Sequence, residues 1–275
     1  MSFLKDSMVA IRPPAVAGSF YPAQPAELGR ELDKLMSRVT GCPEGPTPKV
    51  LVVPHAGYVY SGPVAASAYA HLRPATQRIR RVVLLGPAHR VFVRGLALPD
   101  AEALATPLGE IPVDKETQNL IAHLPQVGVS GQAHGPEHSL EVQLPFLQHI
   151  LGDFSLVPFV VGDASAAEVA EVIETLWGGS ETLILISSDL SHYLPYSLAQ
   201  QVDQETAAQI LALSSDPLQH EQACGATPIN GLLEVARERG LRPALLDLRN
   251  SGDTAGGRDR VVGYSAFAFY EDSHA

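Results

Sequence analysis

The segment VLVVPHAGYVYSG, residues 50–62, decides the fold of this 275-residue chain. Its first four residues are apolar and mostly β-branched, a pattern typical of a strand that is buried on both faces. Pro54 ends the strand, because proline has no N–H to donate to a neighbouring strand. His55 therefore follows the carboxyl end of a buried strand, which is where open α/β sheets bind their ligands.

The same order of strand, short loop and histidine occurs twice more. The segment RVVLL at 81–85, apolar after its first residue, precedes GPA and His89, and the apolar residues 183–186 precede SSDLS and His192. Helical patterns between the strands imply parallel strands with right-handed crossovers. We therefore expect His55, His89 and His192 to reach one edge of one sheet, where they could form a shared active or metal site.

The rest of the pattern predicts a single α/β domain: a mixed, mostly parallel sheet with helices on both faces. The domain is expected to span residues 12–272, after a flexible tail of residues 1–11. Predicted helices cover residues 25–39, 63–72, 114–123, 137–147, 164–176, 196–213 and 228–240, and further predicted strands cover residues 95–98, 109–113, 156–161, 244–248 and 261–270.

Composition excludes several classes of function. The chain is 45% hydrophobic and 18% charged, and its net charge is −11. So acidic a surface argues against binding to nucleic acid or to an anionic membrane. No apolar run reaches the ~20 residues of a membrane span, and the N-terminus lacks the apolar core of a signal peptide. Two cysteines, Cys42 and Cys224, do not make a disulfide framework, so we expect a cytoplasmic protein.

Cys224 is a candidate site residue because it precedes a predicted helix. Thr227 could cap that helix and Pro228 could be its first residue, which would place the thiol near a helix N-terminus. The helix dipole there would lower the thiol pKa and favour a thiolate, able to bind a metal or act as a nucleophile. A small buried apolar side chain is an equally good interpretation of this cysteine.

Asp189 and His192 share one loop. A carboxylate can orient an imidazole and set its tautomer, so His192 could act as a general base with Asp189 as its orienter or as a further metal ligand. An Asx turn or helix cap is the alternative for Asp189.

His138 and Glu141 lie three residues apart on a predicted helix and would share one face of it. They could support the metal ligands or hold a substrate, although a solvated helix face is at least as compatible with this spacing. Tyr58 and Tyr60, in the glycine-flanked loop after the first strand, are candidate contacts for a bound ligand.

A series of short motifs links the chain to a known family. The motifs are AGSFYP at 17–22, PHAGY at 54–58, LGPAH at 85–89, EHSLE at 137–141, SSDLSH at 187–192, CG at 224–225, PI at 228–229, NSGD at 250–253 and VGY at 262–264. In this order they resemble the Memo family, whose bacterial and archaeal members are named as protein B of the AmmeMemoRadiSam system. The resemblance runs from residue 12 to residue 270.

The resemblance carries expectations about fold and metal. The Memo family looks like the class III extradiol dioxygenases in fold, which are non-heme iron enzymes with a two-His, one-Glu metal site and a histidine base. Carried across, it implies metal ligands at His55, His89 and Cys224, and a base at His192 with Asp189. Cysteine in place of the carboxylate softens the site, so copper or zinc becomes possible beside the favoured iron(II). The name of the system also implies a functional link to a radical-SAM protein.

Three functions remain open at this point. The leading hypothesis is a metal-dependent redox or dioxygenase-like enzyme that acts on a small molecule or peptide. The second is a binding module that holds an anionic ligand or peptide without turnover. The third is a hydrolase with Cys224 as nucleophile and His192 as base, which ranks last because no oxyanion motif is evident.

Overall fold

The computed structural model describes residues 10–39 and 45–271. Most of the predicted tail, Cys42 and the predicted domain end at residue 272 lie outside the described residues. The strands are β1 (Ile11–Arg12), β2 (Val50–Val53), β3 (Arg81–Pro87), β4 (Leu96–Leu98), β5 (Ala103–Thr106), β6 (Gly109–Pro112), β7 (Val127–Val129), β8 (Ser155–Val161), β9 (Thr182–Ser187), β10 (His192–Leu194), β11 (Arg242–Asn250) and β12 (Val261–Tyr270).

Helices alternate with the strands along much of the chain. They are α1 (Pro25–Ser37), α2 (Tyr58–Tyr69), α3 (Lys115–Ile121), α4 (Gly131–His134), α5 (Leu144–Ile150), α6 (Ala166–Thr175), α7 (Tyr196–Leu211), α8 (Ala226–Arg239) and α9 (Ser251–Thr254), with 3₁₀ turns at Ala70–Ala75 and Glu141–Gln143. Among the described residues, no helix is both long and apolar enough to cross a bilayer.

The larger sheet is mixed and has the strand order β10-β12-β2-β9-β3-β8-β4-β7, with β11 also paired to β12. Its centre is parallel: β2 pairs with β9, β9 with β3, and β3 with β8. β9 lies between β2 and β3, so the first two predicted strands are parallel but not adjacent. The three loops that were predicted to carry histidines therefore leave one edge of the sheet side by side. A small second sheet has the order β1-β5-β6.

Alternate residues of the central strands enter two separate cores. Leu51 and Val53 of β2 pack in the core that is covered by α1, α2 and α5. Val50 and Val52 pack in the opposite core, which is covered by α6 and α8. Both faces of the sheet are thus buried under helices, as the continuous apolar strands predicted.

Two predicted helices are placed differently in the structure. α2 begins at Tyr58, five residues before the expected start, so Pro63 lies inside the helix and costs it one backbone hydrogen bond. The helix predicted over residues 137–147 is wrong in its first half. Glu137 accepts hydrogen bonds from the backbone N–H groups of His138 and Ser139, which holds a turn there, and the α-helix begins only at Leu144.

Candidate metal centre

Three imidazoles meet at the carboxyl edge of the large sheet. The ligand atoms of His55, His89 and His138 all lie within 4.8 Å of one another. His55 follows β2, His89 follows β3, and His138 lies on the turn before α5. The ring centroids are 5.2 Å apart for His55 and His89, and 4.7 Å apart for His89 and His138. These three side chains could hold a metal ion.

The buried His55 ring is fixed by a chain of hydrogen bonds. Its Nδ1 lies 2.8 Å from Ser187 Oγ. The Ser187 hydroxyl donates its only hydrogen to the Ser139 carbonyl and accepts from Gln143 Nε2. Ser187 can therefore only accept from His55, which places the imidazole hydrogen on Nδ1. His55 Nε2 keeps its lone pair, and that is the state in which histidine binds a metal.

Glu137 does the same for His89. Its Oε1 lies 2.9 Å from His89 Nδ1, and its Oε2 accepts from the His89 backbone N–H. The pKa of Glu137 is lowered to about 2, because hydrogen bonds and charge from His89 outweigh the raising effect of burial, the largest single influence. The carboxylate is therefore ionised and holds the hydrogen on Nδ1, which frees Nε2. This carboxylate–histidine arrangement is the usual support of a metal-binding imidazole.

His138 is the least restrained of the three rings. Burial lowers its pKa to about 4, so the imidazole is neutral. Its Nδ1 is buried and has no hydrogen-bond partner among the described residues, although it lies 3.3 Å from Glu137 Oε1. A buried ring nitrogen without a partner is costly unless something else uses its lone pair. The donor set therefore fits a transition metal, for which imidazole is a suitable ligand.

Cys224 touches this cluster through one histidine. Its Sγ lies 3.3 Å from His55 Nε2, and Asp189 donates its backbone N–H to the same sulfur. The segment that carries Cys224 can approach Ser188 closely because Gly225 has no Cβ. A Cβ there would come within 2.6 Å of Ser188. Burial, with the nearby Asp189 carboxylate, raises the pKa of the Cys224 thiol to about 12. The predicted lowering of this pKa is therefore wrong: burial outweighs the helix dipole, and α8 begins at Ala226 rather than Pro228.

Asp189 and His192 occupy the same loop but do different things. Asp189 Oδ1 accepts from the His55 backbone N–H at 2.7 Å, so this carboxyl positions the His55 loop. Among the described contacts, no hydrogen bond joins Asp189 to His192. Burial raises the pKa of Asp189 to about 7 and lowers the pKa of His192. The His192 imidazole is thus neutral and available as a proton acceptor.

Among the described contacts, neither Tyr58 nor Glu141 forms a hydrogen bond with the three imidazoles. The buried Tyr58 hydroxyl donates to the Val142 carbonyl, and the ring packs on Phe146. Glu141 is wholly buried and pairs with Arg12. It also accepts hydrogen bonds from Tyr21 and from the backbone of residues 15 and 16, which anchors the N-terminal segment. His138 and Glu141 share no helix face, because residues 138–140 are not helical.

Two cavities with different walls reach the cluster. One, the Cys224 cavity, has a volume of about 740 Å³ and is lined by His89, Cys224 and His220 among others. The other, the His192 cavity, has a volume of about 450 Å³ and is lined by His138, Asp189 and His192 among others. A metal ion held by the imidazoles would therefore be open to small molecules.

Sequence reasoning found part of this site. His55 and His89 were predicted as ligands, and both belong to the cluster. His138 was predicted only as a supporting residue, whereas the structure puts it in the cluster itself. Glu137 and Ser187, which orient two of the rings, were not singled out. The signal for Glu137 was present, since it adjoins His138 in the EHSLE motif.

The fold and cluster define an α/β protein with a histidine-rich site, able to hold a metal, at the carboxyl edge of its sheet. The family model described as "Memo-like protein" matches residues 12–268. Proteins described as MEMO1 family members are 35% identical in Sulfolobus acidocaldarius and 37% identical in Ignicoccus hospitalis, each over 94% of this chain and 98% or more of its own length. A MEMO1 family protein of Aquifex aeolicus is 35% identical over 94% of this chain and 99% of its own length. This chain belongs to the Memo family.

A solved structure supports the fold alone. The crystal structure of an uncharacterized protein from Escherichia coli K12 superposes with a TM-score of 0.54. The alignment covers 81% of this chain and all of that one, at 16% sequence identity.

Proposed function

We propose that this protein is a transition-metal-dependent oxidoreductase of the dioxygenase type. His55 and His89 bind the metal through Nε2, with Cys224 as the third ligand that the resemblance implies and His138 as a fourth candidate donor. The observation that carries the proposal is the pair of oriented rings: Ser187 and Glu137 fix the hydrogen on Nδ1 in both. Iron(II) is favoured, and copper or zinc would also suit a site with imidazole and sulfur ligands.

The residues around the cluster have separate tasks in this proposal. A bound redox metal would supply the electron-transfer chemistry. Asp189 holds the His55 loop through the backbone N–H, and its own backbone N–H and carbonyl hold the Cys224 segment. His192, neutral because burial lowers its pKa, accepts a proton from a ligand bound in the His192 cavity.

The test is oxygen consumption by protein that has been loaded anaerobically with iron(II). We expect the wild type to consume oxygen only when metal is bound. His55→Ala should lose both the metal and the oxygen uptake. His192→Asn removes a general base but no ligand, so its oxygen uptake should be slower by about 10²-fold or more. His123→Ala, which removes an exposed histidine two residues beyond the end of α3, is the matched control. Oxygen uptake that survives in His55→Ala would contradict the proposal.

A binding module is the second candidate, favoured by the arginine and aromatic side chains in the wall of the His192 cavity. It predicts ligand affinity that chelators do not change. The geometry does not favour hydrolysis through Cys224, because the imidazole that contacts its sulfur is His55 rather than His192, the base that hydrolysis would need. Composition supports a cytoplasmic location, and the resemblance supports a functional link to a radical-SAM protein.

A further inference from the structure

The three imidazoles of the cluster differ in their access to solvent. The His55 ring is buried, the His138 side chain is 14% exposed, and the His89 side chain is 27% exposed. His89 lines the Cys224 cavity, whereas His138 lines the His192 cavity. A metal ion that arrives from solution therefore reaches the most accessible ligand of the cluster through the Cys224 cavity.

Two side chains outside the cluster give this cavity further metal-binding groups. His220 and Asp163 both line the Cys224 cavity, and both are exposed. Among the described residues, neither the His220 imidazole nor the Asp163 carboxylate has a hydrogen-bond or ion-pair partner. The lone pairs of both groups are therefore free to bind a cation, and imidazole and carboxylate are common metal ligands.

Both residues lie on segments that are fixed relative to the cluster. Asp163 follows the end of β8, where its backbone N–H donates to the Val93 carbonyl at 2.8 Å. His220 lies four residues before Cys224, on the segment whose sulfur lies 3.3 Å from His55 Nε2. The Cys224 cavity thus joins two exposed metal-binding side chains to the residues of the metal centre.

The carboxylates of the two cavities favour the same route. In the His192 cavity, the Asp189 carboxylate already accepts the His55 backbone N–H at 2.7 Å, and Arg260 adds a positive charge to the wall. The Cys224 cavity also contains an arginine, Arg90, but its carboxylate, Asp163, is unpaired. A free carboxylate in a cleft raises the local concentration of cations. An incoming metal ion is therefore attracted more strongly to the Cys224 cavity.

We propose that His220 and Asp163 form an entry site for transition-metal ions. They take up the hydrated cation in the Cys224 cavity and pass it to His89, and protein ligands replace its water molecules step by step. Neither residue is a ligand of the final site. The entry site rests on the proposed function, whose metal centre it serves, and it adds the path that any buried metal centre requires.

An entry residue has a kinetic signature that distinguishes it from a final ligand. Because it contacts the ion only in passage, it lowers the barrier to binding and to release alike. Its loss slows both rates by the same factor and leaves Kd unchanged. Loss of a final ligand instead speeds release and weakens the affinity.

Stopped-flow measurements of Zn²⁺ binding to the metal-free full chain test the entry site. Association is followed in the presence of a chromophoric chelator, and release is followed after addition of excess chelator. We expect His220→Ala to slow both rates by about tenfold while Kd stays at the wild-type value. Asp163→Asn should slow association at low ionic strength, and the difference should disappear as salt screens the charge.

His123→Ala and Asp153→Asn are the matched controls, because both residues are exposed and neither lines the cavity. Asp153 lies two residues before β8, whereas Asp163 lies two residues after it. Both control variants should bind and release Zn²⁺ at the wild-type rates.

Three results would overturn the entry site. The first is unchanged rates in His220→Ala. The second is a raised Kd with an unchanged association rate in that variant, which would make His220 a ligand. The third is slower binding and release in His192→Asn, which would place the route in the other cavity.

His55→Ala separates the entry site from the proposed function. A wild type that binds Zn²⁺ no more tightly than His55→Ala does would contradict the proposed function itself. Tight Zn²⁺ binding by the wild type, with unchanged rates in His220→Ala, would contradict the entry site alone.

Discussion

Two histidines of the cluster share one design at the scale of single residues. His55 and His89 each donate the Nδ1 hydrogen to an acceptor that has no hydrogen to donate in return, a serine hydroxyl already committed to a carbonyl in one case and an ionised glutamate in the other. The lone pairs on Nε2 are then aimed at common space before any ligand arrives. Such preorganisation reduces the cost of ordering the ligands when a metal binds.

Glu137→Gln tests that design directly. The substitution keeps the shape of the side chain and an acceptor for His89 Nδ1, but removes the charge that polarises the ring. We expect metal affinity to fall by about tenfold or more, since residues that support metal ligands typically contribute 10- to 100-fold. Competition with a chelator of known affinity measures it, and an affinity equal to that of the wild type would rule out this role for Glu137.

Glu141→Gln should have the opposite profile. Glu141 and Arg12 form a buried ion pair, with 0% and 6% of their side chains exposed. Neutralising one partner strands a buried charge, which costs about 3 kcal/mol. We expect urea denaturation to report a loss of that order, while metal affinity of the folded protein stays at the wild-type value. A variant with normal stability would disprove the anchoring role of Glu141.

Single residues also mark where sequence reasoning stops. His55 and His89 were predictable because each directly follows an apolar strand, so position along the chain fixed position in space. His138 follows no strand, and the leucines after it keep helical spacing, which concealed the turn that Glu137 makes. Ser187 and Glu137 act through hydrogen bonds to residues 132 and 48 positions away, and no local pattern encodes such partners.

At the scale of elements, helix α7 controls the loop that carries His192. Asp203 of α7 accepts a hydrogen bond from the Ser191 backbone N–H, next to His192. It is 2% exposed, and burial raises its pKa from 3.8 to about 6. The folded protein therefore holds this proton up to a higher pH than the unfolded chain does.

That difference makes stability depend on pH in a defined direction. Between about pH 4 and pH 6 the unfolded chain loses the Asp203 proton before the folded protein does, so this residue lowers stability as pH rises. Asp203→Asn keeps the acceptor for Ser191 but cannot ionise. We expect the variant to match the wild type near pH 4 and to exceed it by about 2 kcal/mol at pH 7. Urea denaturation across this range measures it, and a difference that does not vary with pH would contradict it.

Elements were predicted best where one local pattern dominates. β2 and β12 have the predicted bounds, because unbroken apolar or small-and-aromatic runs mark strands that are buried by the sheet. The start of α2 was misplaced because proline usually marks a first turn, whereas here Gly57 precedes the helix and Pro63 is tolerated inside it. The order of β2, β9 and β3 could not be read from the sequence, since the pairing of β9 between two earlier strands depends on contacts between distant segments.

At the scale of the whole molecule, the sheet separates two cores and gathers its loops at one edge. The cluster lies where those loops converge, and the two cavities reach it through different walls. The candidate site therefore lies on loops at one edge of the sheet, while the buried apolar strands stabilise the fold. The α/β class followed from the alternation of patterns, whereas the two cavities arise from loop geometry that no motif specifies.

The central claim is that His55 and His89 hold one transition-metal ion between them. Crystals of protein prepared without an affinity tag, with diffraction measured on both sides of the metal absorption edge, test it most directly. We predict one anomalous peak at about 2.0–2.1 Å from His55 Nε2 and from His89 Nε2, the bond length of zinc to an imidazole nitrogen. Protein incubated with iron(II), zinc or copper that gives no anomalous peak between these two nitrogens would contradict the account.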